Sequence, residues 1–255
     1  MSTKVALVTG AASGIGAAIA TRFKQNGWQV ASIDKNKSNT DLSIEADVSD
    51  FKSVNAAVLK IEKELGPIEA AISNAGHYEM KSITEVSDES LVKMFAVHLG
   101  GFRNIALSIL PLMRKRKNGS LICITSELGI GGGEFVSHYS AAKGAQIGLV
   151  KTLSLEYAPF NIRVNAVAPG LTDSDDMREH YFNVQMDRLE QRTGQSLRAN
   201  VVVKRSYAMR DFERDYYSFK GNAYGLANTL AQTAFFKPSM RSKKIKNLFF
   251  TGQLT

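Results

Sequence analysis

The sequence predicts an α/β fold in which a parallel sheet carries helices on both faces. Three observations predict it. Apolar strand-like runs alternate with helical patterns, a glycine-rich turn joins the first strand to the first helix, and the 255 residues are 44% hydrophobic. Alternation of this kind is typical of doubly wound parallel sheets, and a chain of this size can bury one large core.

The elements are predicted in chain order from their apolar patterns. Residues 5–8 are a short β-rich run, residues 17–25 are a helical pattern ended by Gly27, and residues 28–33 are a second strand. Further strands are predicted at 69–73, 119–125 and 162–168, and further helices at 51–64, 88–116 and 138–157. Such nearly continuous apolar strands indicate a sheet that is buried on both faces.

Composition narrows the class of protein. The first apolar run begins at Val5 and is broken by Gly10, which is too short for a signal sequence. No stretch approaches the roughly 18 uninterrupted apolar residues of a spanning helix, so we expect a cytoplasmic protein without a membrane span. The single cysteine, Cys123, lies in an apolar run, which indicates a buried thiol and no disulfide within the chain. We predict no metal site.

The net charge of +8 is concentrated in the last third of the chain. Residues 1–177 hold 18 basic and 18 acidic residues, which cancel, while residues 178–255 hold 14 basic and 6 acidic residues. The basic residues are interspersed with Tyr, Phe and Leu and form no run longer than Lys243-Lys244. We therefore expect no nucleic-acid partner.

A glycine-rich turn between the first strand and the first helix predicts a phosphate site. It reads Thr9-Gly10-Ala11-Ala12-Ser13-Gly14-Ile15-Gly16. Glycines allow a sharp turn and a close approach to a pyrophosphate, whose charge is favoured by the free N–H groups of the following helix. The spacing TGxxxGxG differs from the more familiar GxGxxG dinucleotide motif.

Asp34 ends the second strand about 20 residues beyond the glycines, where an acidic side chain can accept hydrogen bonds from ribose hydroxyls. A 2′-phosphate would be repelled there, so Asp34 favours NAD over NADP. Lys35 follows directly and could soften this preference by offering a partner to the phosphate.

Tyr139 and Lys143 are four residues apart on a predicted helix, so they share one face. A phenol with a pKa of about 10 is a poor acid or base at neutral pH unless its anion is stabilised. A neighbouring ammonium and an oxidised nicotinamide would both lower that pKa, which would make Tyr139 a usable general acid/base.

Several motifs occur in one order along the first part of the chain. They are Thr9-Gly10, Asn74-Ala75-Gly76, Ser126 thirteen residues before Tyr139, Tyr139-Ser140-Ala141-Ala142-Lys143, and Pro169-Gly170. In this combination the chain resembles the short-chain dehydrogenase/reductase family over about residues 3–177. The resemblance implies a Rossmann-type domain that moves hydride between a nicotinamide cofactor and a hydroxyl or carbonyl group of a small-molecule substrate.

The resemblance also implies roles for individual residues. Tyr139 would exchange the proton, Ser126 would hold the substrate oxygen, and Lys143 would hold the nicotinamide ribose and lower the pKa of Tyr139. Asp47 and Val48 would contact adenine, and Thr172 would meet the carboxamide. The full set implied for cofactor binding is Gly10, Ser13, Gly14, Ile15, Gly16, Asp34, Asp47, Val48, Asn74, Ala75, Gly76, Tyr139, Lys143, Pro169, Gly170 and Thr172.

His98 departs from the family pattern. Where the family usually has Asn in a helix segment, the chain reads Val97-His98-Leu99. That Asn supports a water chain behind the catalytic Lys, so His98 puts the proton relay in question. An imidazole can itself relay protons near neutral pH, and His98 is therefore a candidate catalytic residue; packing within the helix is the alternative.

Residues 178–255 do not show the family's usual last helix and strand. The motifs from Gly221 to Leu226 and from Lys246 to Gly252 resemble the C-terminal part of bacterial-type phytoene desaturases, which are carotenoid flavoenzymes. The FAD-binding GxGxxG motif of those enzymes is not found. We therefore predict a dehydrogenase domain over residues 1–177, followed by an atypical segment from a fusion or join. Our hypothesis is that residues 246–251 replace the missing edge strand.

The leading prediction is an NAD-preferring oxidoreductase acting on a hydroxyl or carbonyl group, with NADP also possible. Two alternatives stay open: a flavoenzyme remnant of carotenoid metabolism, and a nucleotide-binding chimera with impaired catalysis. The family resemblance further implies a homo-oligomer built partly on helices near residues 100–117 and 138–157.

Overall fold

The computed structural model describes residues 3–170, 172 and 175–201. The chain divides into two compact units, Met1–Thr172 and Asp173–Thr255, which are described separately. The expected domain boundary near residue 177 stays a prediction.

The first unit alternates strands and helices, as predicted. Its strands are β1 (Val5–Thr9), β2 (Gln29–Asp34), β3 (Leu42–Glu45), β4 (Ile68–Ser73), β5 (Gly119–Ile124) and β6 (Ile162–Val167). Its α-helices are α1 (Gly14–Gln25), α2 (Phe51–Glu64), α3 (Asp88–Phe95), α4 (Gly101–Arg116), α5 (Leu128–Gly131) and α6 (Ser137–Tyr157). Short 3₁₀ turns lie at Ile83–Glu85 and Ala158–Phe160.

The six strands form one sheet in the order β3-β2-β1-β4-β5-β6, and every pair is parallel. Between β1 and β4 the order reverses direction, which leaves a crevice at the carboxyl ends of the strands where such folds bind ligands. The predicted doubly wound parallel sheet of the Rossmann type is confirmed.

Two apolar layers cover the sheet. In the first layer, helices α2 and α4 pack against one face of the sheet. Its fully buried side chains include Leu7, Ile61, Phe102, Ile109 and Leu121. The other packs α1 against smaller strand residues, including Val8, Val30 and Ile72. Burial of both faces explains why the strands read as continuous apolar runs.

The predicted helix at 88–116 is interrupted. A five-residue π-helical segment, Ala96–Gly100, separates α3 from α4. The stretch Asp88–Arg116 is long and apolar enough to cross a membrane by length and composition, but half of its apolar part is buried inside the protein. Buried core residues such as Phe102 and Ile109 account for this apolar character.

Two further predictions concern the buried cysteine and the edge of the sheet. Cys123 is fully buried, and burial raises the pKa of its thiol to about 12. Within the described residues β6 is an edge strand, and its last residue, Val167, is half exposed. The predicted replacement strand at 246–251 and the flavoenzyme-like motifs after residue 220 lie outside the described residues.

In the second unit, helix α7 (Asp175–Thr193) is followed by a 3₁₀ turn at Arg198–Asn200. The Arg198 guanidinium pairs with Asp187 and, at 2.7 Å, with Glu190. Glu190 also accepts hydrogen bonds from the backbone N–H groups of Leu197 and Arg198. These contacts fold the chain back against the end of α7.

Candidate active site

The predicted site residues of the first unit converge on one edge of the sheet. Gly10 follows β1, Asp34 ends β2, Asn74 follows β4, and Ser126 comes two residues after β5. Because all strands are parallel, these positions share the carboxyl edge, where the crevice lies. The tertiary structure therefore brings together residues that are far apart in the chain.

The glycine-rich turn has the geometry that a phosphate loop needs. Gly10 has φ +67°, which favours glycine, and a Cβ there would lie 2.8 Å from the Ala75 Cα. A Cβ on Gly16 would lie 1.9 Å from the Gly10 carbonyl oxygen, so only glycine fits at the start of α1. Ser13 and Gly14 are exposed at the N-terminus of this helix, whose first N–H groups favour an anion.

Asn74 joins this turn to the segment that follows β4. Its side-chain amide donates to the carbonyl oxygens of Thr9 and Gly10, both at 3.1 Å. The Thr9 hydroxyl in turn accepts from the backbone N–H groups of Asn74 at 2.9 Å and Ala75 at 3.0 Å. These four bonds fix two of the predicted cofactor segments relative to each other.

Asp34 lies beside the glycine-rich turn. Its Oδ2 accepts from the Ala12 N–H at 2.9 Å, and its Oδ1 accepts from the Asn36 N–H at 2.9 Å. Each carboxylate oxygen can still accept a further bond. Lys35, which could have softened the preference against NADP, instead pairs with Asp47 at 2.8 Å.

Asp47 and Val48 occupy different environments. Burial alone would raise the pKa of Asp47, but hydrogen bonds from Lys35 and Ser49 lower it to about 2. The Val48 side chain is buried in the core, and its carbonyl oxygen accepts from Asn104 at 2.9 Å. A role for Val48 beside adenine would therefore have to use its backbone.

The segment after β6 closes this edge. The Pro169 carbonyl oxygen accepts from the Glu127 N–H at 3.0 Å, and Gly170 lies so close to Glu127 that a Cβ would meet its Oε2 at 2.8 Å. Thr172 is exposed, and its hydroxyl donates to the Gly170 carbonyl oxygen at 3.1 Å. These contacts place the Pro169-Gly170 turn next to the loop that carries Ser126.

Tyr139, Ser126 and Lys143 lie together in the crevice. Tyr139 and Lys143 are on α6, and the Lys143 Nζ lies 5.6 Å from the centroid of the Tyr139 ring. The Ser126 hydroxyl lies near enough to the Tyr139 side chain to lower the pKa of its phenol. Lys143 is buried, and its Nζ donates to the Ile124 carbonyl oxygen at 2.8 Å.

Burial sets the protonation of both α6 groups. It raises the pKa of Tyr139, and the hydrogen bond with Ser126 offsets this only in part. It lowers the pKa of Lys143 to about 8. In the protein by itself the pKa of Tyr139 is therefore set by burial, Ser126 and Tyr78, and the expected lowering by Lys143 stays a prediction.

His98 lies directly behind the catalytic candidates. Its ring packs edge-on to the Tyr139 ring, with centroids 5.4 Å apart. Its Nε2 lies 2.8 Å from the His77 carbonyl oxygen and 3.3 Å from the His77 backbone nitrogen, and one tautomer can make only one of these bonds. The shorter contact favours Nε2–H as the donor, which leaves Nδ1 as an acceptor.

Burial and the Lys143 charge lower the pKa of His98 to about 3. A low pKa favours the neutral ring near neutral pH, and the role of His98 in a proton relay stays a prediction. A Cβ on Gly76 would come within 2.4 Å of the His98 Cε1, so the ring fits only because residue 76 is glycine.

Three residues of this region were not predicted. Gln146 is buried, and its amide donates to the His98 carbonyl oxygen at 2.9 Å within the π-helical segment. Glu79 accepts from the buried His138 at 3.1 Å, and Tyr78 packs edge-on to Tyr139 with ring centroids 5.0 Å apart. Gln146 could have been found from its position, three residues after Lys143 on the same helix face.

The fold and this edge define a Rossmann-type nucleotide-binding protein with a hydroxyl, a phenol and an amine in one crevice. The chain belongs to the short-chain dehydrogenase family: it matches the family described as "short chain dehydrogenase" over residues 4–184. It is thus an NAD(P)-dependent oxidoreductase that acts on CH–OH or C=O groups. The part of the chain after residue 184 lies outside the match.

The chain is similar to proteins that are named as reductases or dehydrogenases. The chain is 34% identical over 184 residues to a 3-oxoacyl-(acyl-carrier-protein) reductase of Thermotoga maritima, covering 67% of this chain and 75% of that protein. It is 36% identical over 181 residues to an acetoacetyl-CoA reductase of Synechocystis, covering 69% and 74%. The solved aldohexose dehydrogenase of Thermoplasma acidophilum aligns with a TM-score of 0.67 at 33% identity, covering 70% of each chain.

Proposed function

We propose that the protein is an NAD-preferring dehydrogenase/reductase in which Tyr139 is the general acid/base. The observation that carries this proposal is the convergence of Tyr139, Ser126 and Lys143, at the same edge of the sheet as the glycine-rich turn. In one crevice, a hydroxyl can bind the carbonyl oxygen of a substrate and a phenol can supply the proton to it. A neighbouring amine can influence the pKa of that phenol.

A nicotinamide cofactor, when bound, would supply the hydride to the carbonyl carbon or accept it from an alcohol. In the reduction, Ser126 donates a hydrogen bond to the substrate oxygen and Tyr139 transfers its phenolic proton to that oxygen. In the oxidation the same proton returns to Tyr139. The raised pKa of Tyr139 in the protein alone favours the protonated form, which is the form that reduction requires.

The residues present fit the cofactor. Close packing at Gly10 and Gly16 admits no side chain, and the free N–H groups at the start of α1 would favour the charge of a pyrophosphate. Asn74 holds the turn in place, and Lys143, whose ammonium is buried beside Tyr139, would bind the nicotinamide ribose. Thr172 would contact the carboxamide, and Ser13, Gly14 and Ile15 would line the phosphate site.

Support for NAD over NADP comes from Asp34 and Lys35. The Asp34 carboxylate is fixed beside the turn by Ala12, where it would accept from ribose hydroxyls and repel a 2′-phosphate. Lys35 is held by Asp47 and so is not placed to neutralise that phosphate.

We assign cytoplasmic localisation and a homo-oligomeric state as part of the same proposal.

Exchange of Tyr139 for Phe tests the mechanism. Tyr139→Phe removes the proton donor and should lower kcat by about 10²- to 10⁴-fold with a carbonyl panel, while binding of NADH measured by fluorescence is retained. Tyr157→Phe, a substitution at a second tyrosine of α6, is the control and should keep full turnover. Unchanged turnover in Tyr139→Phe would remove this residue from the mechanism.

The resemblance of residues 178–255 to carotenoid flavoenzymes remains part of the proposal. We infer a join near residue 177, with a segment that carries no FAD-binding motif of its own. A flavin absorbance spectrum in the purified chain would favour the flavoenzyme alternative. Tight NADH binding without turnover of any carbonyl would favour the impaired nucleotide-binding chimera.

A further inference from the structure

We propose that the exposed side chains of Tyr78, Met80 and Phe135, here called the apolar rim, bind the uncharged apolar part of the substrate. The substrate class would be neutral ketones and secondary alcohols with an aromatic or similarly bulky apolar group. Tyr78 would be the main specificity-determining residue. This inference rests on the proposed function, because it takes Tyr139 as the point where the substrate oxygen is held.

Tyr78 connects the rim to the catalytic hydroxyl. Its ring packs edge-on to the Tyr139 ring at a centroid distance of 5.0 Å, yet the residue is 40% exposed. An aromatic side chain in this arrangement offers one surface to Tyr139 and another to an incoming ligand. Met80, two residues later, is also 41% exposed and is a flexible apolar side chain suited to varied ligands.

The rim segment is held by contacts made through Glu79. The Glu79 carboxylate pairs with Lys81 at 2.7 Å and with His138 at 3.1 Å, and it accepts a hydrogen bond from Ser90. These partners come from the same loop, from α6 and from α3. A loop anchored in this way to both α6 and α3 presents Tyr78 and Met80 with little loss of conformational entropy on binding.

Phe135 comes from a second loop that is joined to the first. The Lys81 N–H donates to the Phe135 carbonyl oxygen at 2.7 Å. Phe135 has φ +60°, a left-handed conformation that costs an aromatic residue energy, and its side chain is 56% exposed. Strain of this kind together with an exposed apolar side chain beside an active site is an indication of ligand contact.

Charges around the rim favour an uncharged ligand. Residues 77–82 and 126–136 hold one lysine, Lys81, against three glutamates, Glu79, Glu127 and Glu134. Lys81 is paired with Glu79, while Glu127 and Glu134 are exposed. The exposed glutamates of these two loops disfavour an anionic group that lies against the loops, and this favours a neutral ligand there.

The test uses the full chain with NADH and NADPH and three probe ketones. Acetophenone is apolar and neutral, 4-acetylbenzoate is its anionic counterpart, and acetone lacks the bulky group. We expect kcat/KM to be higher for acetophenone than for 4-acetylbenzoate by about tenfold or more, because the two ketones share the aromatic ring and differ only in a carboxylate that the exposed glutamates would repel. Ligand-detected NMR measures acetophenone binding independently of turnover.

Tyr78→Ala and Phe135→Ser should each lower the acetophenone-to-acetone ratio of kcat/KM by about tenfold and weaken acetophenone binding. Leu59→Ser, a change at an exposed apolar residue on α2, is the control and should leave both the ratio and the binding unchanged.

Turnover that depends on Tyr139 but is insensitive to both rim substitutions would overturn the rim and keep the proposed function. Acetophenone binding that is lost in Tyr78→Ala, without turnover of any ketone, would keep the rim and overturn the function. If the protein neither binds acetophenone nor turns over any ketone, both the rim and the proposed function are overturned.

Discussion

The buried Nζ of Lys143 donates a hydrogen bond to the Ile124 carbonyl oxygen at 2.8 Å. Ile124 is the last residue of β5 and comes two residues before Ser126. The Lys143 ammonium therefore lies at the carboxyl end of β5, although Lys143 belongs to α6. One carbonyl oxygen replaces only part of the hydration that an ammonium has in water, so its charged form is disfavoured. The protein retains this group at an energetic cost.

Lys143→Met should therefore stabilise the protein while abolishing its activity. The pKa of Lys143 is lowered from 10.5 to about 8, so at pH 7 the charged lysine destabilises the folded state. Removing it should raise the free energy of unfolding at pH 7 by about 2 kcal/mol after the lost hydrogen bond is considered. The wild type gains stability as the pH rises from about 8 to 10.5, so the difference should shrink there.

Urea unfolding at pH 7 and pH 10 measures this effect. Lys52→Met, a change at an exposed lysine in the first turn of α2, is the control and should show no such pH dependence. A less stable Lys143→Met protein at pH 7 would contradict the assigned cost of burial.

His98→Asn should make the protein more resistant to acid. The pKa of His98 is lowered from 6.5 to about 3 by burial and by Lys143, so the folded state resists protonation of a residue that the unfolded state protonates readily. Unfolding free energy is lost as the pH falls below 6.5, at about 1.4 kcal/mol per pH unit for one such group.

Urea unfolding between pH 4 and pH 7 should show a shallower slope in His98→Asn than in the wild type. Because His98 stays neutral over this range, the pH profile of kcat should carry no inflection that disappears on substitution. An inflection near neutral pH that is lost in His98→Asn would restore His98 as a titrating proton relay.

Gly76→Ala should destabilise the protein through His98. The added Cβ would lie 2.4 Å from the His98 Cε1, and overpacking of this kind costs about 1–3 kcal/mol. In a His98→Asn background the ring is gone, so the cost should be smaller, and a double-mutant cycle should measure the coupling. Gly148→Ala on α6 has open space around its Cβ and should be neutral or stabilising. Equal costs of Gly76→Ala in both backgrounds would show that the two residues are not coupled.

Asp34→Ala should shift cofactor preference toward NADPH. Loss of the carboxylate removes both the acceptor for the ribose hydroxyls and the repulsion of a 2′-phosphate. The ratio of the Kd values for NADPH and NADH, measured by fluorescence titration, should fall about tenfold or more. The double variant with Asp47→Asn removes the carboxylate charge that holds Lys35 and should lower the ratio further. Glu156→Ala, an exposed acid on α6, is the control, and a ratio unchanged in Asp34→Ala would contradict the role of Asp34.

The sequence predicted most of the first unit because its signals are local. Apolar runs identified five of its six strands to within one residue at each end, and helical periodicity gave helix α2 with the bounds that the structure has. Strand β3 (Leu42–Glu45) was missed, since it is short and its residues are only partly buried. The π-helical segment Ala96–Gly100 was missed because its sequence continues the apolar pattern of a helix.

The sequence by itself determined the doubly wound fold, the family, and which residues are candidates for the active site. Glycine positions, the Tyr139-to-Lys143 spacing and Asp34 are visible as residue types at fixed separations. Only the tertiary structure decided how those groups ionise and what surrounds them. The neutral ring of His98, the burial of Lys143 and the placement of Tyr78 against Tyr139 depend on atoms brought together from distant segments. Desolvation and contact are properties of that packing, so no pattern along the chain encodes them locally.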